Sequence, residues 1–136
     1  MATFVTESRN DLRSYVEAHE AYYNNYEAYQ PEIASLMRIN MARPQAHVVI
    51  ASRPTCGDCV RNLPKLAKVA ESLTGWTWEV YEHDEDRPRS LALNIRAVPT
   101  IIVYDQKDGR ELGRIIENPT SGWLEKDLLE IIQKSR

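Results

Sequence analysis

Cysteine is scarce in this sequence: its 136 residues include two, Cys56 and Cys59. A framework of several disulfides is thereby excluded, and a chain of this length buries enough core to fold as one domain without such staples. Positive charge is not in excess either. Seventeen Lys and Arg stand against twenty Asp and Glu, for a formal charge of −3, so no basic face announces nucleic acid or anionic lipid. No apolar run approaches the length of a membrane span. Met1 to Glu20 holds Glu7, Asp11, Glu17 and Glu20 and nothing resembling a signal peptide. The expectation is a cytoplasmic protein with neither nucleic acid nor membrane as partner.

The cysteines that are present stand as Cys56-Gly57-Asp58-Cys59, directly after the apolar run His47 to Ser52. Two cysteines dropped at random would fall at this spacing roughly once in 70 trials, so the pair reads as a dithiol site. In a reducing compartment a cycling disulfide is common and a persistent structural one is not. Zinc would need four ligands, but there is no second cysteine pair, and His19, His47 and His83 are scattered over three elements. No metal is expected, and no cofactor beyond the Cys56–Cys59 couple itself.

Arg43-Pro44-Gln45 divides the chain. Residues 1–43 read as a helical extension: Thr6 or Ser8 can cap, Asp11 follows Ser8 at capping-box spacing, and Leu12, Tyr15, His19, Tyr22, Tyr26 and Tyr29 recur at three or four. Pro31 restarts a shorter helix at Glu32 that carries Ile33, Leu36, Met37 and Asn40. No strand signal precedes residue 46. Residues 44–136 then alternate: a strand at His47 to Ser52, a helix from about 57 to 73, a strand at Trp76 to Glu82 and a short helix at Asp86 to Leu93. A strand at Thr100 to Tyr104 turns at Gln106-Lys107-Asp108-Gly109 into an antiparallel strand, Glu111 to Ile116. Thr120 or Ser121 is expected to cap a closing helix with Leu124, Leu128, Ile131 and Ile132 on its apolar face. The order predicts one structural domain of the α/β class, a mixed four-stranded sheet flanked by helices with the N-terminal helices packed on the body.

With this order, the Cys-x-x-Cys after the first strand and Val98-Pro99-Thr100 before the third, residues 46–134 resemble the thioredoxin superfamily. Pro64 lies five residues past Cys59, where thioredoxins kink the dithiol helix. There are departures. Thr55 and Asp58 replace the usual Trp and Pro around the cysteines. The family's buried Asp falls on Ile50, its Lys partner on Tyr81, and a groove-lining Gly on Glu117. A first strand is missing and the helical stretch stands in its place. A Cys-Gly-Asp-Cys site with a helical preface looks like the bacterial thioredoxin-like proteins.

The resemblance implies thiol-disulfide exchange. Cys56, at the helix N-terminus, would be the nucleophile, its thiolate favoured by unpaired N–H groups and the helix dipole; Cys59 would resolve the mixed disulfide. Pro99, expected in cis, would set the Val98 backbone beside Cys56 to pair with an extended substrate segment, with Thr55 and Gly57 on the same surface. Asp58 competes with the thiolate for the positive field, which favours the disulfide and predicts a reductant. Asp58 is also a candidate proton acceptor for Cys59, with Glu79 and His83 behind it. Partners would be disulfide-bearing proteins or small thiol substrates and a reductase or other dithiol donor.

The alternative is a redox-inert thioredoxin-fold module that binds a partner through the proline groove and the tyrosine-bearing helices. No dedicated peroxide or glutathione signature is visible. His83, amid Glu82, Asp84, Glu85 and Asp86, reads as a solvated loop, and Trp76 and Trp78 as core packing. Of Arg53, Arg61 and Arg96, Arg53 is the best placed by sequence to assist the thiolate. Tyr15, Tyr22, Tyr26 and Tyr29 are expected to cover a sheet edge on the body, or else to form a partner surface.

Overall fold

The computed structural model describes residues 8–42 and 45–135. Its elements are α1 (Ser8–Glu17), α2 (Glu20–Ala28), α3 (Ile33–Ala42), β1 (Ala46–Ser52), α4 (Gly57–Ala70), β2 (Thr77–Glu82), α5 (Arg87–Ala92), β3 (Thr100–Asp105), β4 (Glu111–Ile116) and α6 (Leu124–Lys134). The strands form one sheet in the order β2-β1-β3-β4. β1 runs parallel to β2 and antiparallel to β3, and β3 and β4 are antiparallel. This is the mixed, helix-flanked sheet of the thioredoxin-like fold.

Strand alternation sorts the side chains. Val48, Ile50, Trp78, Ile101, Val103 and Ile115 share one face and build the main core with Leu63 and Leu66 of α4 and Leu128 of α6. Leu12, Val16, Tyr22, Leu36 and Ile39 of the N-terminal helices belong to that same core. α1 lies on β2 and α4, α2 runs along α4, and α3 rests on α6. On the other face, α5 is held by Arg89 to Glu79 at 3.0 Å and by Ser90 to Tyr81 at 2.8 Å.

Pro64 shows how the N-terminal helices are joined to the body. A proline inside a helix has no N–H for the carbonyl four residues back, here that of Val60. Asn25 of α2 donates to this oxygen at 3.1 Å. Farther along, Glu125 of α6 is fully buried yet satisfied, accepting from the Tyr29 hydroxyl at 2.6 Å and from the Glu32 N–H at 2.5 Å. The latter bond satisfies a donor at the start of α3.

Three readings of the sequence need correction. The periodic run from Leu12 to Tyr29 is two helices, because the chain turns extended at His19 (φ −122°, ψ 107°), whose Nδ1 lies 2.8 Å from the Tyr15 carbonyl and satisfies it at the end of α1. Ile33 and Met37 face outward, since α3 turns Leu36 and Ile39 inward. Neither Thr120 nor Ser121 caps α6: the N-cap position is Trp123, and the Asp127 carboxylate instead accepts from the Thr120 and Ser121 N–H groups at 2.8 and 3.1 Å. Of the residues expected to cap α1, Thr6 lies outside the described residues and Ser8 is the first residue of the helix; Arg43 and Pro44 also lie outside the described residues.

Candidate functional site

β1 delivers the chain to the N-terminus of α4, where Cys56 occupies the N-cap position in an extended conformation. Its sulfur accepts from the Cys59 N–H at 3.2 Å and lies 3.4 Å from the Val98 carbonyl, to which the thiol donates. Both cysteines are free thiols, Cys56 half-buried and Cys59 with no exposed surface. The Val98–Pro99 bond is cis. Cys56, Cys59, Val98 and Pro99 therefore meet at one point, with Thr55 and Gly57 exposed beside them.

An outer, attackable sulfur and an inner, shielded one differ chemically. Burial, and the neighbouring Cys56 side chain, push the Cys59 thiol up to about 12, although the Arg53 backbone and the Ser52 side chain favour its thiolate. Cys59 is inert toward solvent reagents at neutral pH on these grounds.

Asp58 lies in the first turn of α4 and is paired with Arg61, which also reaches Asn118 Oδ1 at 3.5 Å. Asn62 is a buried clasp behind them: its Nδ2 stands 2.9 Å from the Asp58 carbonyl, 3.0 Å from the Glu117 carbonyl and 2.9 Å from Asn118 Oδ1. Glu117, at the position of the family's glycine, has a left-handed backbone (φ 65°) and donates its N–H to the Pro99 carbonyl at 2.8 Å. A side chain in that conformation costs about 1–2 kcal/mol relative to glycine. Here the cost is borne where the rim meets the proline loop.

Other expected residues go elsewhere. The Arg53 guanidinium holds Asp84 through two contacts, at 2.7 and 3.1 Å, although both thiols lie within its electrostatic range. Glu79 points from the opposite face of the sheet to His47 (3.3 Å) and Arg89, which hold its carboxyl below the usual range. It is therefore separated from Cys59 by the sheet. His83 Nδ1 is 2.7 Å from Ser90 Oγ, a tie to α5 in place of a solvated loop. Trp76 and Trp78 are buried and stacked, with centroids 5.5 Å apart, as core packing requires.

The sequence reading passed over Ser52, Tyr15 and Glu82. The Tyr15 hydroxyl is 3.3 Å from Ser52 Oγ and 3.4 Å from Glu82 Oε1. Strand parity is the signal that leads to them: residues 48, 50 and 52 share a face, and Ser52 is register partner to Glu82, not to Glu79.

Among curated proteins no match is found. Among solved structures, a protein of unknown function from Pseudomonas aeruginosa superimposes with a TM-score of 0.67 at 20% identity, over 93% of this chain and 86% of the other. Mitochondrial thioredoxin 3 from Saccharomyces cerevisiae gives 0.54 at 24%, over 78% and 98%. Thioredoxin from Trypanosoma brucei brucei gives 0.56 at 22%, over 71% and 83%. At these identities the likeness is one of fold. The family model described as Thioredoxin matches residues 6–126. It thus takes in the N-terminal helices, beyond the resemblance from residue 46 onward that the motifs alone suggested. A match of that extent decides the matter of kinship: this chain belongs to the thioredoxin family.

Proposed function

We propose that this chain is a thiol-disulfide oxidoreductase that works in the cytoplasm as a reductant of protein or small-molecule disulfides. The observation that carries the reading is the Cys56 sulfur at the N-cap of α4, taking the Cys59 N–H and facing the Val98 carbonyl, with Cys59 shielded directly behind. Cys56 attacks one sulfur of a substrate disulfide; the first substrate thiolate leaves and a mixed disulfide forms. Cys59 then attacks Cys56, and the second substrate thiolate leaves as the Cys56–Cys59 bond closes. Two electrons pass from the dithiol to the substrate. An extended substrate segment would lie along the Val98–Pro99 loop and pair with its backbone. A separate dithiol donor or reductase returns the couple to the reduced state.

The test is the reduction potential of the couple, read by equilibration in graded dithiol buffers with alkylation and mass analysis, alongside turnover of a protein disulfide. A potential near about −270 mV, as in thioredoxin, supports a cytoplasmic reductant; one near about −150 mV or above supports an oxidant or isomerase. The absence of any reversible couple would overturn the reading in favour of a binding module.

A further inference from the structure

Cys59 must lose a proton before it can attack the mixed disulfide, and the family's buried acid is here the alkyl side chain of Ile50. The polar groups that stand near Cys59 instead come from three separate elements. Ser52, the last residue of β1, is completely buried on the face that carries Val48 and Ile50, against the core that includes Cys59, and its side chain favours the Cys59 thiolate. α1 brings the Tyr15 hydroxyl to 3.3 Å from Ser52 Oγ and 3.4 Å from Glu82 Oε1. Ser52 and Glu82 are register partners, so both rise from the face that α1 and α4 cover. Glu82 is partly exposed, which gives the chain of hydroxyls an outlet to solvent.

We infer that Ser52, Tyr15 and Glu82 form a proton relay that carries the Cys59 proton to solvent while the mixed disulfide is resolved. The inference rests on the oxidoreductase reading above. The Cys59 thiol gives its proton to Ser52 Oγ, the Ser52 proton passes to the Tyr15 oxygen, and the Tyr15 proton passes to the Glu82 carboxylate. The Cys59 sulfur lone pair forms the bond to Cys56 Sγ, and the bond from Cys56 to the substrate sulfur breaks. The leaving sulfur keeps that electron pair and is protonated by water, and Glu82 returns its proton to water. The dithiol is oxidised, the substrate is reduced, and no further oxidant enters.

The surrounding groups leave this route open. Asp58 is paired with Arg61, Asp84 with Arg53, and Glu79 lies across the sheet with His47 and Arg89. His83 is tied to Ser90. Glu82 is the carboxylate that reaches Tyr15. A concerted transfer needs no free tyrosinate, which burial disfavours at Tyr15. Tyr22, whose ring centroid is 5.8 Å from that of Tyr15, brings a further hydroxyl beside Ser52 and Tyr15, and burial keeps it protonated.

The test is stopped-flow reaction of the reduced protein with the aromatic disulfide dithiobis(nitrobenzoate). One coloured thiolate is released when Cys56 attacks and a second when Cys59 resolves the adduct. Tyr15→Phe, Ser52→Ala and Glu82→Gln are each expected to slow the second release at neutral pH by about tenfold or more and to move its pH profile upward. The ratio of the two phases separates this loss from a general loss of structure, which would alter both together. Variants that resolve the adduct at the parent's rate with the parent's pH profile would overturn the relay alone. A parent protein that gives the first release and never the second would overturn the oxidoreductase reading and the relay with it.

Discussion

Asp58 and Arg61 set opposite fields on the same sulfur, and their pairing turns a single-residue argument into one with two signs. Asp58 alone, in the first turn of α4, would draw on the positive end of the helix dipole that also serves Cys56. Its pairing with Arg61 reduces that draw, and the pair is only partly shielded, with side chains 28% and 53% exposed for Asp58 and Arg61. A charge at a helix terminus is worth about 0.3–1 kcal/mol under such exposure. At about 30 mV for 1.4 kcal/mol, this is a shift of roughly 6–20 mV. Asp58→Asn removes the negative charge, frees Arg61, stabilises the reduced form and raises the potential. Arg61→Gln leaves Asp58 uncompensated, favours the disulfide and lowers it. Both potentials are measured by equilibration with a glutathione or dithiothreitol series at low and at high salt, and both shifts should shrink with added salt. A lower potential for Asp58→Asn, or a higher one for Arg61→Gln, would refute the reasoning.

Three further outcomes are expected. Leu12 of α1 has no exposed surface within the common core, so Leu12→Ala should cost about 2–5 kcal/mol, and removal of residues 1–42 should leave an insoluble or unfolded body; urea titration followed by tryptophan fluorescence reads the first, and an unchanged midpoint would mean that α1 is dispensable. Because the Cys59 thiol is held up to about 12 in the folded state against about 8.5 when unfolded, the unfolded chain alone ionises between these values. Stability of the reduced protein therefore falls as pH rises above about 8.5, by at most about 1.4 kcal/mol per unit. Denaturation of the parent and of Cys59→Ala at pH 8 to 10 isolates the effect, and parallel curves would contradict it.

The sheet and its helices were legible because their signals are local. Short apolar runs mark β1 and β3 and alternation marks β2, the Asp108-Gly109 turn joins β3 to β4, and Pro64, the cysteine pair and Val98-Pro99 fall at spacings that belong together. The break at His19 was not legible, since the same three-and-four periodicity runs through α1 and α2, and only packing on two different elements separates them. The α6 start was misread because Asp127, one turn inside the helix, holds the Thr120 and Ser121 N–H groups, so both residues belong to the incoming loop and neither caps the helix. At the site, Cys56, Cys59 and the proline loop could be assigned from sequence. Arg61, three residues past Asp58 and readable alone as a surface charge, gains meaning from its pairing with Asp58; Ser52, Tyr15 and Glu82 are brought together by register and helix docking, which no short window displays.

The bond from Asn25 to the Val60 carbonyl and the bond from Tyr29 to Glu125 span 35 and 96 residues. They place the order of synthesis at odds with the order of packing. During translation α1 to α3 emerge first but find their partners only when α4, β2 and α6 follow. Ordering so much chain before those contacts form carries a loop-closure cost, which slows folding relative to a protein built from local contacts. Until α6 arrives the early helices have little to bury against, and the dithiol helix lacks the last of its supports. The two thiols thus spend that interval in a chain not yet able to shelter Cys59.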